Sequence, residues 1–286
     1  MIDRATVFNP LRQAARSGSI VAAFIFGFVV LTMSILIAYS SLPIYQILEG
    51  YSIPAFIRRP LLRRQQRAFV RMQAEQRRYV LGLPANVTAD DFRRFPQRID
   101  YVRATRLGNA LTAFEHWGRD RYGLDTQTMW YELYGVSADQ VRRDVEDGRS
   151  PVDFFVSMVA NMCALILASA VCVVFAPPTR IRAAIIIFVA VAAIPASYNL
   201  AVRNVVDWSL SVKAMVNIGR VHLADALSLE MPATLDEERE MWSAHFWTIE
   251  VNQDAYIASY NSFRRRRGYR PPAPPTVTES ADHDDD

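Results

Sequence analysis

No charged residue occurs between Arg16 and Glu49, between Asp153 and Arg180, or between Arg182 and Arg203. Each run is long enough to cross the hydrocarbon core of a bilayer, which takes about 20 apolar residues as helix. Inside lipid the backbone has no water to bond to, and helix closes its hydrogen bonds within the segment. Of the 286 residues, 51% are hydrophobic and 21% charged. That balance suits a membrane protein with substantial polar parts better than a water-soluble domain or a mostly buried bundle.

The runs predict transmembrane helices at residues 19–42, 152–176 and 181–202. A signal peptide competes for the first, because Arg4, Arg12 and Arg16 precede it. The run exceeds the roughly 7–15 residues of an h-region and leads into bulky Leu42, Pro43, Ile44 and Tyr45, so a retained span is the expectation, although small residues at 38–41 offer a cleavage site. Pro177, Pro178, Thr179 and Arg180 make a turn too short to hold a domain, so the second and third runs form a hairpin whose other ends face one side. That side carries Arg58, Arg59, Arg63, Arg142, Arg143, Arg149, Arg203, Lys213 and Arg220 near span ends, against Arg4, Arg12, Arg16, Arg180 and Arg182 on the other. The excess predicts a cytoplasmic domain and C-terminus at an inner (plasma) membrane, with the basic amino-terminal tail pulling the other way. Cys163 and Cys172, nine residues apart in one predicted span, are too distant to pair and read as small packing residues.

The expected layout is therefore a tail at 1–18, an Arg-rich helical soluble domain at 43–151, a helical hairpin at 203–263 completing it, and a basic cluster with a disordered Pro-rich, acidic tail at 264–286. Pro60 is placed as the first residue of a helix reaching about Leu81, with arginines at 63, 64, 67, 71, 77 and 78 and an apolar stripe of Leu62, Phe69 and Met72. Such a helix either lies on anionic headgroups or packs inward with a solvated charged face. Thr88 with Asp90 and Asp91 reads as a helix start. From Thr105, Leu107, Leu111, Phe114 and the edge of Trp117 recur at helical steps until Tyr122-Gly123. Asp125 caps a short helix with Met129, Trp130 and Leu133 inward, and Ser137 with Gln140 opens another that Gly148 and Pro151 break. Beyond the third span the helix continues outward with Trp208, Val212, Met215, Gly219, Leu223 and Leu227 on one face. Thr234 with Glu237 is a capping box, opening a helix striped by Trp242, Phe246, Ile249 and Tyr256 that folds back on the preceding one. The arginines at 264–267 favour that helix's negative end and can reach lipid phosphates. No strand-like alternation of useful length occurs, so the fold class is all-α, an integral membrane protein with three transmembrane helices and a helical membrane-proximal domain.

The stretch TRLGNALTAFEHWGRDRYGLD, with Trp130 after it, resembles a signature shared by a group of uncharacterised bacterial multi-spanning membrane proteins. The likeness continues through the apolar hairpin to Leu223, Asp225 and Ala226 and the segment EMPATLDEEREMW, covering residues 104–247, about half the chain. It implies this architecture and no reaction. Where that group has proline-arginine after Trp130, this chain has Tyr131 and Glu132. Physically, Gly108 permits close approach of another backbone. Arg106, Asn109, Glu115, Arg119 and Asp125 predict a polar network at the foot of the hairpin, because such groups are costly to bury unless paired. The competing reading is a site for a phosphate-bearing ligand or headgroup held by Arg106 and Arg119.

No catalytic constellation accompanies them. His116, His222 and His245 lie more than 20 residues apart or outside any metal spacing, Glu115 and His116 point to different helix faces, and glycine-rich phosphate loops, G-x-S-x-G and C-x-x-C are missing from the sequence. No catalytic residue, metal site or cofactor is nominated. In the spans, Asn161 and Asn199 are the notable polar residues and can hydrogen-bond across the hairpin. The expected role is non-enzymatic interaction or scaffolding at the cytoplasmic face, with an oligomeric channel or transport accessory as the alternative. The expected partners are the bilayer with its anionic headgroups and a homo-oligomer or another membrane protein. Thirty-one of the 32 basic residues are arginine, but residues 63–78 lack interleaved aromatic platforms, which argues against nucleic acid.

Overall fold

The computed structural model describes residue 28 and residues 41–86, 88–175 and 180–265. The first apolar run, apart from Phe28 and its last residues, lies outside them, as do the Pro177–Pro178–Thr179 turn, Arg266, Arg267 and the acidic tail. Among the described residues the fold is all-helical, without a strand; the nearest thing to one is an isolated bridge between Leu229 and Arg264.

The helices are α1 (Ser41–Glu49), α2 (Ala55–Val80), α3 (Ala89–Arg93), α4 (Arg106–Glu115), α5 (Trp117–Tyr122), α6 (Trp130–Val136), α7 (Asp139–Phe175), α8 (Arg180–Ala226), α9 (Leu235–His245) and α10 (Ile257–Ser262). Two of them, α7 and α8, are long and apolar enough to cross a membrane. Only 17% and 22% of their most apolar stretches are buried inside the molecule. Leu167 on α7 is 69% exposed and Phe188 on α8 75%, whereas the core helix of a water-soluble protein hides such side chains.

Packing divides the chain into two compact units. One combines residues up to Thr112 with Asp147–Trp208; the other combines Ala113–Glu146 with the residues from Ser209 onward.

In the first unit α2 starts before Pro60, contrary to the sequence reading. Pro54 at its N-cap supplies the extended entry, with φ −51° and ψ 141°, and Arg58 N–H already bonds to the Pro54 carbonyl at 2.9 Å. Pro60 then costs a single ladder bond in an exposed turn. The apolar stripe of α2 turns inward: Phe69 is 2% exposed, its ring 6.0 Å from that of Phe95. The arginines at 63, 67 and 71 are left on the outward face. At the start of α3, Thr88 N–H and hydroxyl both donate to Asp91 Oδ2, at 2.9 and 2.8 Å, as half of a capping box requires. These bonds, the N–H first, hold the Asp91 carboxyl below its ordinary pKa against the opposing effect of burial.

The predicted break at Gly148 and Pro151 is also overturned, since α7 runs unbroken through both. Gly148 packs on Trp208, where an added Cβ would sit 3.1 Å from Cδ1, and Arg149 Nε bonds Asp153 across Pro151 at 3.2 Å. Val152 and Val156 are buried one turn further on. Burying that face outweighs the missing proline donor. Tyr45 of α1 donates its hydroxyl to the same Asp153 at 2.5 Å, fastening α1 to α7. Burial first and that carboxylate second push the Tyr45 hydroxyl well above the usual tyrosine pKa.

In the second unit Ser137 does not cap with its side chain; its hydroxyl donates to the Leu133 carbonyl at 2.6 Å and packs beside Gly219. As expected, α8 continues past the apolar run, with Val212, Met215 and Leu223 buried. Thr234 caps α9, its hydroxyl accepting from Glu237 N–H at 3.4 Å and donating to Glu237 Oε2 at 2.8 Å. The stripe predicted beyond is not kept: Trp242 is buried, but α9 ends at His245, a wide π turn follows (Phe246–Glu250), and Ile249 and Tyr256 are exposed. Met241, Ala244 and His245 fill the core instead. Nor is the basic cluster wholly free for phosphates, because Arg265 pairs with Asp225.

Candidate functional site

The start of α4 is built as a joint. Thr105 Oγ1 accepts from Gly108 N–H at 3.0 Å, closing the first turn. Gly108 then meets the end of α1 so tightly that a Cβ would collide with the Glu49 carbonyl and reach 3.0 Å from Arg103 Cβ. Glycine is required here for want of space. Arg103 stacks over the Tyr51 ring at 4.4 Å. Burial raises the pKa of Glu49, an effect that Arg103 partly offsets.

Asn109 is 1% exposed and fully used: its Oδ1 accepts from Arg103 N–H at 2.6 Å, and its Nδ2 donates to Gln65 Oε1 and to the Arg103 carbonyl, both at 3.2 Å. Arg106, one turn earlier on the exposed side, donates from Nη1 to Asn199 Oδ1 at 2.9 Å. Leu107 N–H, an orphan donor at the helix start, bonds the Tyr198 hydroxyl at 3.1 Å. The amide oxygen expected to serve Asn161 is thus engaged by an arginine, and Asn161 itself is exposed on α7.

The later part of the motif belongs to the second unit. Gly123 ends α5 in the left-handed region at φ 78°, with Arg239 backbone pressed against it. Asp125 caps the next turn through Gln127 N–H at 3.1 Å and Thr128 N–H at 3.3 Å, and its other oxygen pairs with Arg119. Tyr122 donates to Asn217 Oδ1 at 2.6 Å, while Arg220 lies 4.3 Å over its ring and pairs with Glu238 at 2.9 Å. Trp242 Nε1 donates to the same Glu238 oxygen at 3.3 Å. Glu115, at the end of α4, is half-buried. Of the five motif residues, therefore, Arg119 and Asp125 are brought together, and Arg106 and Asn109 share one joint with different partners.

Gln65, Tyr198 and Asn217 were not singled out from sequence, and Arg220 entered only the charge balance, although all four complete these contacts. Only Tyr198, beside Asn199, had a local signal. Among the described residues no group of three or more His, Cys, Asp or Glu side chains is arranged to hold a metal.

Among the described residues of the first unit are two recesses. One, of about 300 Å³, is lined by Asp90, Arg94, Arg203, Val206 and Asp207, two charges of each sign. The other, of about 410 Å³, lies along α2 between Arg63, Gln66, Arg67, Val70 and Arg71, three guanidinium groups with no carboxylate among the described lining residues. Compared with protein-family models, curated proteins and solved structures, the chain matches none.

Proposed function

We propose that the chain is a three-span integral membrane protein, crossing at 19–42, 152–176 and 181–202, of the multi-spanning group whose motif it resembles. Its helical remainder lies at the cytoplasmic face of the inner membrane and works there as a non-enzymatic interaction or scaffolding module. The observation that carries the reading is the exposure of large apolar side chains along α7 and α8, Leu167 and Phe188 among them, for which lipid is the natural solvent. The motif at residues 105–125 supports it from the other side, because its glycines, asparagine and aspartate serve joints and caps. Alkaline carbonate extraction of cell membranes tests the spans: the chain is expected in the pellet, and its release into the supernatant overturns them. Impermeant labelling of single cysteines at Gln73 and Pro274, with Cys163 and Cys172 replaced, is expected to report one compartment, the cytoplasm.

A second reading, an oligomeric channel or transport accessory, is favoured by exposed Asn161 in the apolar part of α7. A polar amide facing lipid gains about 0.6–2 kcal/mol by bonding another span. Liposomes holding the purified protein but impermeable to ions and small solutes would remove this reading.

A further inference from the structure

We propose that the outward arginine row of α2 holds the phosphates of anionic lipids in the leaflet that bounds α8, which rests on the span reading above and names the partner of the cytoplasmic face. Helix α2 carries eight arginines against one glutamate, Glu75. Steps of four residues align Arg63, Arg67 and Arg71 on one face, opposite the face that buries Phe69. Among the described residues no hydrogen bond or ion pair reaches these three, whereas Arg78 pairs with Glu75. They border the α2 recess, and its one apolar lining residue, Val70, is 53% exposed.

A recess with three unbalanced guanidinium groups selects an anion. Planar forks suit phosphate oxygens, which makes arginine the fitting residue. The contrast with the charge-balanced recess at Arg203 is informative, because there carboxylates would repel the same ligand. A chain of contacts fixes where the row sits. Gln65 of α2 holds Asn109, and Arg106 on the same helix as Asn109 holds Asn199, one turn before Arg203 ends the apolar run of α8. Helix α2 therefore packs near the polar end of a proposed span, where lipid phosphates lie, with the arginine row on its other face. Among the described residues no aromatic side chain lines the recess to stack a base, which sets lipid ahead of single-stranded nucleic acid.

The test uses the full chain in neutral detergent, titrated with fluorescent phosphatidylglycerol, phosphatidylcholine, inorganic phosphate and duplex DNA. Wild type is expected to bind phosphatidylglycerol in preference to the others, increasingly so as salt is lowered. The variant R63Q/R67Q/R71Q is expected to lose about a hundredfold at low salt, given the size of the surface-charge effect per basic residue. A control of equal charge loss, R93Q/R98Q/R142Q, removes arginines that already have aspartate partners and is expected to lose less than threefold. Equal losses in both variants, no loss in the first, or binding of DNA or free phosphate ahead of the lipid each overturn the proposal. Unchanged helical circular dichroism in the first variant shows that folding is not the cause. Carbonate release with phosphatidylglycerol binding intact would sink the spans and keep the arginine row.

Discussion

Arginine does opposite jobs at two places, one in each compact unit. In the second, Arg119, Arg220, Arg239 and Arg265 each meet a carboxylate, and Arg220 and Arg265 are largely withdrawn from water. In the first, Arg63, Arg67 and Arg71 stand out from α2 with no ion pair among the described residues, Glu75 one turn beyond them being paired with Arg78. The difference follows from burial. A charge taken from water must be matched where it lies, so Arg220 and Arg265 are struts whose removal strands an acid. An exposed charge keeps its hydration and can stay unmatched until a ligand brings the counter-charge.

The sharpest way to break this comparison is Arg220→Ala. Glu238, only 7% exposed, would keep a buried carboxylate whose remaining bond is from Trp242, and a loss of about 3–5 kcal/mol is expected from breaking such a pair. Thermal unfolding of the purified protein reads it, and adding Glu238→Gln should recover part of the loss. Full stability in Arg220→Ala would show that the pair is not a strut.

A smaller effect tests the rule on a group that stays neutral. His245 is 3% exposed, between Trp242 and Tyr260. Burial lowers its pKa, while the charge of Glu132 acts the other way. Because the unfolded chain binds the proton more readily, this contribution is intact above the unfolded pKa of about 6.5 and is lost as pH falls through the lower folded value. Unfolding followed from pH 8 to pH 5 should show stability declining on the acid side. The decline should be shallower in His245→Gln, and an identical acid limb in both proteins would refute the assignment.

The smallest effect is expected at α2. Arg67→Gln should change stability by less than about 0.5 kcal/mol, as for a surface substitution without partners. A loss above about 1 kcal/mol in the same unfolding assay would mean that the row is already engaged within the protein.

Local chemistry was legible in the sequence. Thr88 with Asp91, Thr234 with Glu237 and Gly123 act where they were expected to, because a cap involves groups three or four residues apart and its energy does not depend on the rest of the fold, whereas Asp125 caps the turn before α6 and not that helix itself. The helical face from Val212 to Leu223 was legible for a similar reason, periodicity. Gly148 and Pro151 were misread as a stop because their propensities are local, while Trp208, which holds the helix through them, lies 60 residues away in sequence.

From the sequence alone come the all-helical class, the apolar runs and the caps, all properties of contiguous residues. Tertiary structure alone decided the rest: that Arg106 engages Asn199, that Asn109 is locked by Gln65 and Arg103, and that Phe69 turns inward so that three arginines face out. The physical reason is that a side chain's partner depends on which surfaces meet, and those meetings join residues tens of positions apart.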